Sequence, residues 1–212
     1  MDIRYINHNL IVVGLVHGRR LYAQHTGRSS RSGGGTSSTA TVPASGDSTS
    51  VSVNVSTSGT TAIIAKPTAT TLNKVIGSSV KTGEIIIDVS GLKKDITTVS
   101  ISTETIKAIE QAVEDTSNNA SALTAKLTDG SVTFDAAALA SIAGQAKGND
   151  TRLNLNGISE IRLSSTQRDA IKGTNVQAAY GIYLTSDGTR ISGFDGGKAT
   201  MTVNYTLRNG QV

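Results

Sequence analysis

The stretch "SVTFDAAALASIAGQA", residues 131–146, predicts a short strand that leads directly into an alanine-rich helix. Apolar and polar residues alternate in its first half, as in a half-buried strand. In its second half, Leu139 and Ile142 lie at helical spacing. Asp135 stands between the two segments, at the position where a side-chain oxygen caps the first turn of a helix. The stretch therefore predicts a strand–cap–helix unit.

A second stretch with the same layout, "TVSISTETIKAIEQA" (98–112), lies 33 residues earlier. In this copy Ser102 or Thr103 is the expected cap, and Val113 extends the apolar side of the helix. The matching pairs are Val99 with Val132, Ile101 with Phe134, Ser102 with Asp135, Ile106 with Leu139, and Ile109 with Ile142. A period of this length also occurs in ankyrin repeats, but the second helix and the T-P-L-H motif of ankyrin are missing.

Two further copies are looser. Residues 49–77 fit only in outline, with a hairpin predicted across Ser58–Gly59 and helical turns predicted over 68–77. Residues 151–173 keep the frame through Ile161, Leu163, Ile171 and the expected cap Ser164. We therefore expect an irregular series of strand–strand–helix units.

The remaining strand signals complete the predicted architecture. The apolar run in "EIIIDVS" (84–90) predicts a strand buried on both faces, and Asp129–Gly130 predicts a hairpin before the alanine-rich helix. Residues 178–210 predict a β-meander with a turn at Asp187–Gly188 and a terminal strand over 198–207. A hairpin cannot cover its own apolar face, so short helices should pack on it. The predicted fold class is α+β: antiparallel β-hairpins with short covering helices, followed by a β-meander.

The charge of the chain is unevenly distributed. The whole net charge of +4 is carried by residues 1–39, which contain five arginines and a single acidic residue, Asp2. Residues 40–212 have no net charge. Aromatic residues make up 3% of the chain, so a core of Ile, Val, Leu and Ala is expected. A neutral module with few aromatic residues lacks the basic, stacking surface that nucleic-acid binding requires. No nucleic-acid partner is predicted.

The N-terminal part differs in composition from the rest. Residues 1–27 predict a poorly ordered basic arm, either a degenerate secretion signal or a fragment of an upstream segment. The apolar run at 10–16 is too short to span a membrane, so no membrane span is predicted. Residues 28–40 form a Gly/Ser linker. The module itself is predicted over 41–212.

The residue inventory argues against the common catalytic sites. The chain has no cysteine, and its histidines His8, His17 and His25 all lie in the arm. The module therefore has neither a Ser-His-Asp triad, nor a cysteine nucleophile, nor a histidine zinc site. We expect no enzymatic activity, no cofactor and no metal.

Two short stretches look like motifs of enzymes. "SSVKTG" (78–83) contains S-x-x-K and K-T-G of penicillin-recognising enzymes, but Lys81 would have to serve both and S-D-N is absent. "SGFDGGKAT" (192–200) looks like a phosphate-binding loop, but Ser192 and Ala199 depart from the pattern and a strand follows it. We interpret the first as coincidence and the second as a turn.

The carboxylates are spread along the chain, and several stand beside turns or caps, where Asp has a local structural role. The carboxylates considered are Asp88, Asp95, Glu104, Asp129, Asp135, Asp187 and Asp195; of these, the ones next to turns or caps are Asp129, Asp135, Asp187 and Asp195. A carboxylate pair or a calcium site assembled from distant segments stays open, although neither EF-hand spacing nor a nonapeptide calcium repeat is present.

The module also resembles a known family. Its phrases "GEIIIDVSGLKKDITTVSISTETIKAIEQAV", "LTDGSVTFDAAALASIAGQAKGND", "LSSTQRDAI" and "ISGFDGGKATMTVNYTLRNGQ" resemble a repeat module of large surface proteins of Gram-positive bacteria that carry S-layer homology repeats. The resemblance implies a secreted, cell-wall-associated, non-enzymatic protein. The wall-binding repeats are not in this chain. The relatives continue beyond its terminal strand, so a C-terminally truncated module is expected.

The predicted function is therefore a structural or adhesive module at a bacterial cell surface. Its expected partner is a cell-wall or surface polymer, or another surface protein. One alternative is a carbohydrate-binding module, with Tyr183 as its candidate ligand-binding residue; strand alternation puts Tyr180 on the opposite face, which disfavours a flat sugar platform. The second alternative is a fragment of an enzyme that degrades a surface polymer.

Overall fold

The structure, a computed structural model, describes residues 2–6, 10–14, 38–42, 51–79, 83–92, 95–115, 120–158, 165, 168–169 and 176–203. Its strands are β1 (Asp2–Ile6), β2 (Leu10–Gly14), β3 (Ser38–Val42), β4 (Val51–Ser58), β5 (Thr61–Ile64), β6 (Glu84–Asp88), β7 (Thr98–Ser102), β8 (Ala122–Leu127), β9 (Gly130–Asp135), β10 (Asp150–Ile158), β11 (Val176–Ser186), β12 (Thr189–Arg190) and β13 (Ala199–Val203). Its helices are α1 (Ala69–Ser79), α2 (Thr103–Glu114) and α3 (Ala136–Gln145).

The strands form two sheets of mostly antiparallel strands, which with the short helices confirm the predicted α+β class. The larger sheet has the order β1-β2-β11-β10-β7-β5-β4-β3, with β12 added beside β11. The smaller sheet has the order β13-β9-β8-β6. Helix α2 packs against β7 and β10 of the larger sheet, α3 packs against β8 and β9 of the smaller sheet, and the two helices contact each other.

The two predicted strand–cap–helix units are confirmed residue by residue. Ser102 caps α2 by accepting from the Thr105 amide at 3.1 Å, and Asp135 caps α3 by accepting from the Ala138 amide at 2.8 Å. All the paired apolar positions are buried: Val99, Ile101, Ile106, Ile109, Val132, Phe134, Leu139 and Ile142. Residues that lie 33 positions apart in the sequence therefore occupy equivalent core positions in two successive units.

The core that these units share consists mainly of aliphatic side chains, as the composition predicts. The largest fully buried side chains are Ile85, Ile96, Ile109, Leu127, Leu139, Ile142, Leu155, Val89, Val99 and Val132. Phe134 and Tyr180 are the aromatic members of the core among the described residues.

The hairpins predicted at Ser58–Gly59 and Asp129–Gly130 are confirmed, whereas the two strands of the unit between them do not pair with each other. β4 pairs antiparallel with β5, and β8 with β9. By contrast, β6 lies parallel to β8 in the smaller sheet, whereas β7 lies between β5 and β10 in the larger one. The connection explains the difference because it is itself part of the core: Val89 and Ile96 are almost completely buried, and the Ile96 amide donates to Thr128 Oγ1 at 2.9 Å. The chain thus crosses from one sheet to the other.

Strand β6 is buried on one face rather than on two. Ile85 and Ile87 point into the core, while Ile86 on the other face is half-buried. The prediction of complete burial on both faces was wrong for Ile86, which packs against the core but stays half-buried. An apolar run can arise at an edge strand as well as at a central one.

The predicted meander is confirmed only in its first turn. Asp187 and Gly188, both with positive φ, form the turn between β11 and β12, as a two-residue Asp-Gly hairpin requires. Strand β13 then leaves this sheet and pairs with β9 of the smaller sheet. It does so because residues 191–198 cross over α3, where the Lys198 amide donates to the Asp135 carboxylate. Residues 204–207 of the predicted terminal strand lie outside the described residues.

The N-terminal stretch contains strands where a poorly ordered arm and a linker are expected. β1 and β2 pair antiparallel, and β2 also pairs with β11. The segment Leu10–Gly14 is rich in branched aliphatic residues, which favour a strand, and it extends the larger sheet at that end. β3 begins at Ser38, close to the predicted start of the module.

Candidate functional site

The candidate site lies on the face of the larger sheet that points away from the core, around Tyr183. Strand alternation in β11 places Tyr180 on the core side, where 8% of it is exposed, and Tyr183 half-buried on the opposite side. The expectation that the two tyrosines lie on opposite faces is confirmed. We call this surface the outer face; its residues on β7, β10, β11 and β12 are Thr98, Ser100, Asp150, Arg152, Asn154, Tyr183, Thr185 and Arg190.

A first row of the outer face runs through Thr98, Asn154 and Tyr183, which are direct neighbours on three adjacent strands. Thr98 Oγ1 donates to Asn154 Oδ1 at 2.8 Å, and both residues are buried. Because buried polar groups need partners, this hydrogen bond stabilises both side chains within the sheet. The row is therefore rigid at its centre and presents Tyr183 at its end.

A second row runs through Ser100, Arg152, Thr185 and Arg190. Within it the Arg152 Nε donates to Asp150 Oδ2 at 2.6 Å, and Ser100 Oγ donates to the same carboxylate oxygen at 3.1 Å. The Asp150 carboxylate thus fixes the position of the Nε end of the Arg152 guanidinium. The Arg152 side chain as a whole is 55% exposed.

Arg190 lies over the ring of Tyr183, with its guanidinium carbon 5.1 Å from the ring centroid. This is the geometry of a cation–π contact. One face of the Tyr183 ring is therefore covered by a cation, and a sugar ring could stack on that side only by displacing Arg190. The contact makes Arg190 as much a part of the candidate site as Tyr183.

Three of the carboxylates singled out in the sequence accept hydrogen bonds from groups of the protein. Asp88 accepts from the amide and hydroxyl of Ser90, and Asp195 accepts from Ser141 Oγ at 2.7 Å. Asp135 accepts from the amides of Ala138 and Lys198. The predicted structural role of Asp at caps and turns is confirmed for Asp135 and Asp195, because each carboxylate accepts from an amide or hydroxyl of the protein.

The ionisable side chains bear on two questions: which pKa is shifted, and whether a metal ion could be held. Burial, and after it the charge and hydrogen bond of Glu114, raise the pKa of Glu110 on helix α2. In the described part of the chain, His, Cys, Asp and Glu side chains form no group of three that could hold a metal ion. Glu110 lies on a helix surface beside Glu114, away from the outer face.

The two stretches that look like enzyme motifs can be placed as far as the structure describes them. Residues 192–200 form a loop and the start of β13, with a Gly197 to Phe194 backbone hydrogen bond of 2.8 Å; the interpretation as a turn is confirmed. Lys81 lies outside the described residues, as do His8, His17 and His25.

Sequence reasoning identified Tyr183 but missed Arg190 and Arg152. Arg190 could have been found, because the two-residue turn at Asp187–Gly188 fixes Thr185 opposite Arg190. Arg152 gave no comparable signal, since β10 and β11 are joined by a long connection that does not set their register.

No family model matches the chain, and neither the curated proteins nor the solved structures gave a match. No helix among the described residues is long and apolar enough to cross a membrane.

Proposed function

We propose that the chain is a non-enzymatic structural and adhesive module of a secreted bacterial surface protein that is held at the cell wall. The observation that carries this proposal is how the module uses its polar groups. Asp135, Asp195 and Ser186 each join segments that are distant in the chain. Such groups stabilise a rigid body, which is what a spacer or adhesive domain requires.

The rigidity has a clear physical basis. Every described buried side-chain nitrogen or oxygen has a hydrogen-bond partner. Two sheets and their helices share a single core of aliphatic residues. A module of this kind presents a fixed surface, so that binding to a polymer costs little ordering of the protein. The outer face is the surface that we assign to adhesion.

Retention on cell walls tests the proposal. Purified module is mixed with intact walls of a Gram-positive bacterium that carries S-layer proteins, and the bound fraction is compared with that of an unrelated protein of equal size and charge. Specific, saturable retention is expected. Absence of retention on every wall preparation would contradict the adhesive role. Turnover of a wall polymer by the purified module would favour the alternative of a degrading enzyme.

A carbohydrate-binding module is the second candidate, and the position of Tyr183 favours it. The ring is half-buried on the outer face, beside the exposed guanidinium of Arg190. Aromatic rings on such faces bind apolar faces of ligands while neighbouring groups donate hydrogen bonds. A glycan array with Tyr183→Ala as the comparison tests it: loss of binding to a neutral sugar would support this function, and unchanged binding would exclude Tyr183 as the contact.

A further inference from the structure

The outer face carries a line of three donor side chains: Arg152, Thr185 and Arg190. The register places Arg152 opposite Thr185 and Thr185 opposite Arg190, so all three point to the same side of the sheet. The two arginines are two strand spacings apart, which is about 10 Å at the backbone. A hydroxyl thus lies between two guanidinium groups.

Each of the two guanidinium groups contacts a neighbouring side chain but keeps N–H donors that can bind a ligand. Arg152 uses its Nε for Asp150, and Arg190 rests on the Tyr183 ring. A guanidinium has five N–H donors, so each keeps most of them available. In the described residues Arg190 has no carboxylate within ion-pair distance. Support by a carboxylate and by a ring reduces the entropy that each side chain loses when it binds an anion.

The charge on this face selects the kind of anion. Asp150 is the one carboxylate among the eight outer-face residues, against the two arginines, so the net charge is +1. Nucleic acid carries a denser charge and is bound by basic grooves with several aromatic rings. Two separated cations with a hydroxyl between them instead match a polymer in which carboxylates alternate with neutral hydroxyl groups. Arg donors pair with carboxylates in a planar fork.

We propose that Arg152, Thr185 and Arg190, with Tyr183 supporting Arg190, bind the carboxylate groups of an acidic polysaccharide. This inference rests on the proposed adhesive function and names the class of its partner. Thr185 hydrogen-bonds a sugar hydroxyl between the two carboxylates. Tyr183 acts as a positioning residue for Arg190, not as a stacking platform.

Calorimetric titration of the full chain with polygalacturonate tests the proposal, with fully methyl-esterified polygalacturonate as the neutral probe. Binding of the acidic polymer is expected, and no binding of the ester. The Arg152→Gln/Arg190→Gln variant should bind about tenfold more weakly, since each lost charge-assisted contact at an exposed site weakens binding several-fold. Lys107→Gln, which removes an exposed charge from helix α2, should bind like the unmodified chain.

Arg190→Lys separates charge from geometry. It keeps the positive charge but loses the planar fork, so its affinity should fall between those of the unmodified chain and the double variant. Both arginines are exposed, so the substitutions should leave the fold intact, and circular dichroism of each variant checks this. The basic N-terminal stretch is present in every variant, so binding through it would leave the double variant unchanged.

Three results would overturn the proposal: no binding of polygalacturonate, equal binding by the double variant, or equal or tighter binding of inorganic polyphosphate or single-stranded DNA. None of these results decides the proposed function, which is tested separately by retention on walls. A module that is retained on walls but ignores polygalacturonate would keep its adhesive function and lose this partner.

Discussion

The backbone amide of Lys198 donates to both oxygens of the Asp135 carboxylate, at 3.0 Å each. The backbone amide of Asp135 in turn donates to the Lys198 carbonyl at 3.1 Å. The same carboxylate caps helix α3. A single side chain thus joins the end of β9, the start of α3 and the entry to β13.

This relationship predicts that Asp135→Ala costs more than a helix cap alone. We expect a loss of about 2–4 kcal/mol in the free energy of unfolding. The substitution removes both the helix cap and the charge-assisted hydrogen bonds from the Lys198 amide. Ser102→Ala is the matched control at the equivalent position of the earlier unit, with an expected loss of about 1 kcal/mol. Urea unfolding measures both. Equal losses would contradict the additional role of Asp135.

Gly197 is required by close packing against α3. A Cβ at this position would overlap the backbone of Ala137 and Ala138. Gly197→Ala should therefore destabilise by at least about 1–3 kcal/mol, because the loop must move off the helix. Gly144→Ala in the same helix meets nothing within 4 Å and should stabilise by about 0.5–1 kcal/mol. Thermal unfolding of both variants checks the predicted opposite signs.

The buried hydroxyl of Ser186 ties β11 to the connection after α3. It accepts from the Lys147 amide at 2.9 Å and donates to the Lys147 carbonyl at 2.6 Å. Ser186→Ala leaves both groups without this partner, so a loss of about 1–3 kcal/mol is expected. Faster hydrogen exchange at the Lys147 amide should accompany it. Ser56→Ala, at an exposed position of β4, should change stability by less than about 0.5 kcal/mol.

Glu110 and Glu114 make the stability depend on pH. Burial, and next the neighbouring Glu114, raise the pKa of Glu110 above its ordinary value. The folded protein therefore holds this proton at a higher pH than the unfolded chain does, so this contribution is complete below the ordinary pKa and is lost as pH rises through the raised one.

Removal of the second carboxylate tests that relationship. In Glu114→Gln, NMR titration should show the pKa of Glu110 moving back toward its ordinary value, but not fully, because burial remains. The free energy of unfolding at neutral pH should rise by about 0.2–0.5 kcal/mol, as expected when a like-charged pair one turn apart is removed. An unchanged titration of Glu110 would show that Glu114 does not act on it.

Local signals were sufficient to predict the units of this fold. The caps Ser102 and Asp135 and the turn at Asp187–Gly188 lie where the sequence predicts them. The apolar periodicity also identified the buried positions of both helices, such as Ile109 and Ile142. Each of these features depends on residues that are close together in the sequence, where propensity, capping and alternation act directly.

The pairing of distant strands was decided only by the tertiary structure. Alternation shows which face of a strand is buried but not which strand lies beside it, so β6 and β7 could be predicted as strands and not assigned to different sheets. The outer face follows from the same pairing, because Arg152 meets Thr185 only through the register of β10 and β11. Sequence alone therefore determined the caps, the helices and the strands from β4 onward but not β1 to β3, and long-range packing of the apolar faces determined which polar side chains share a surface.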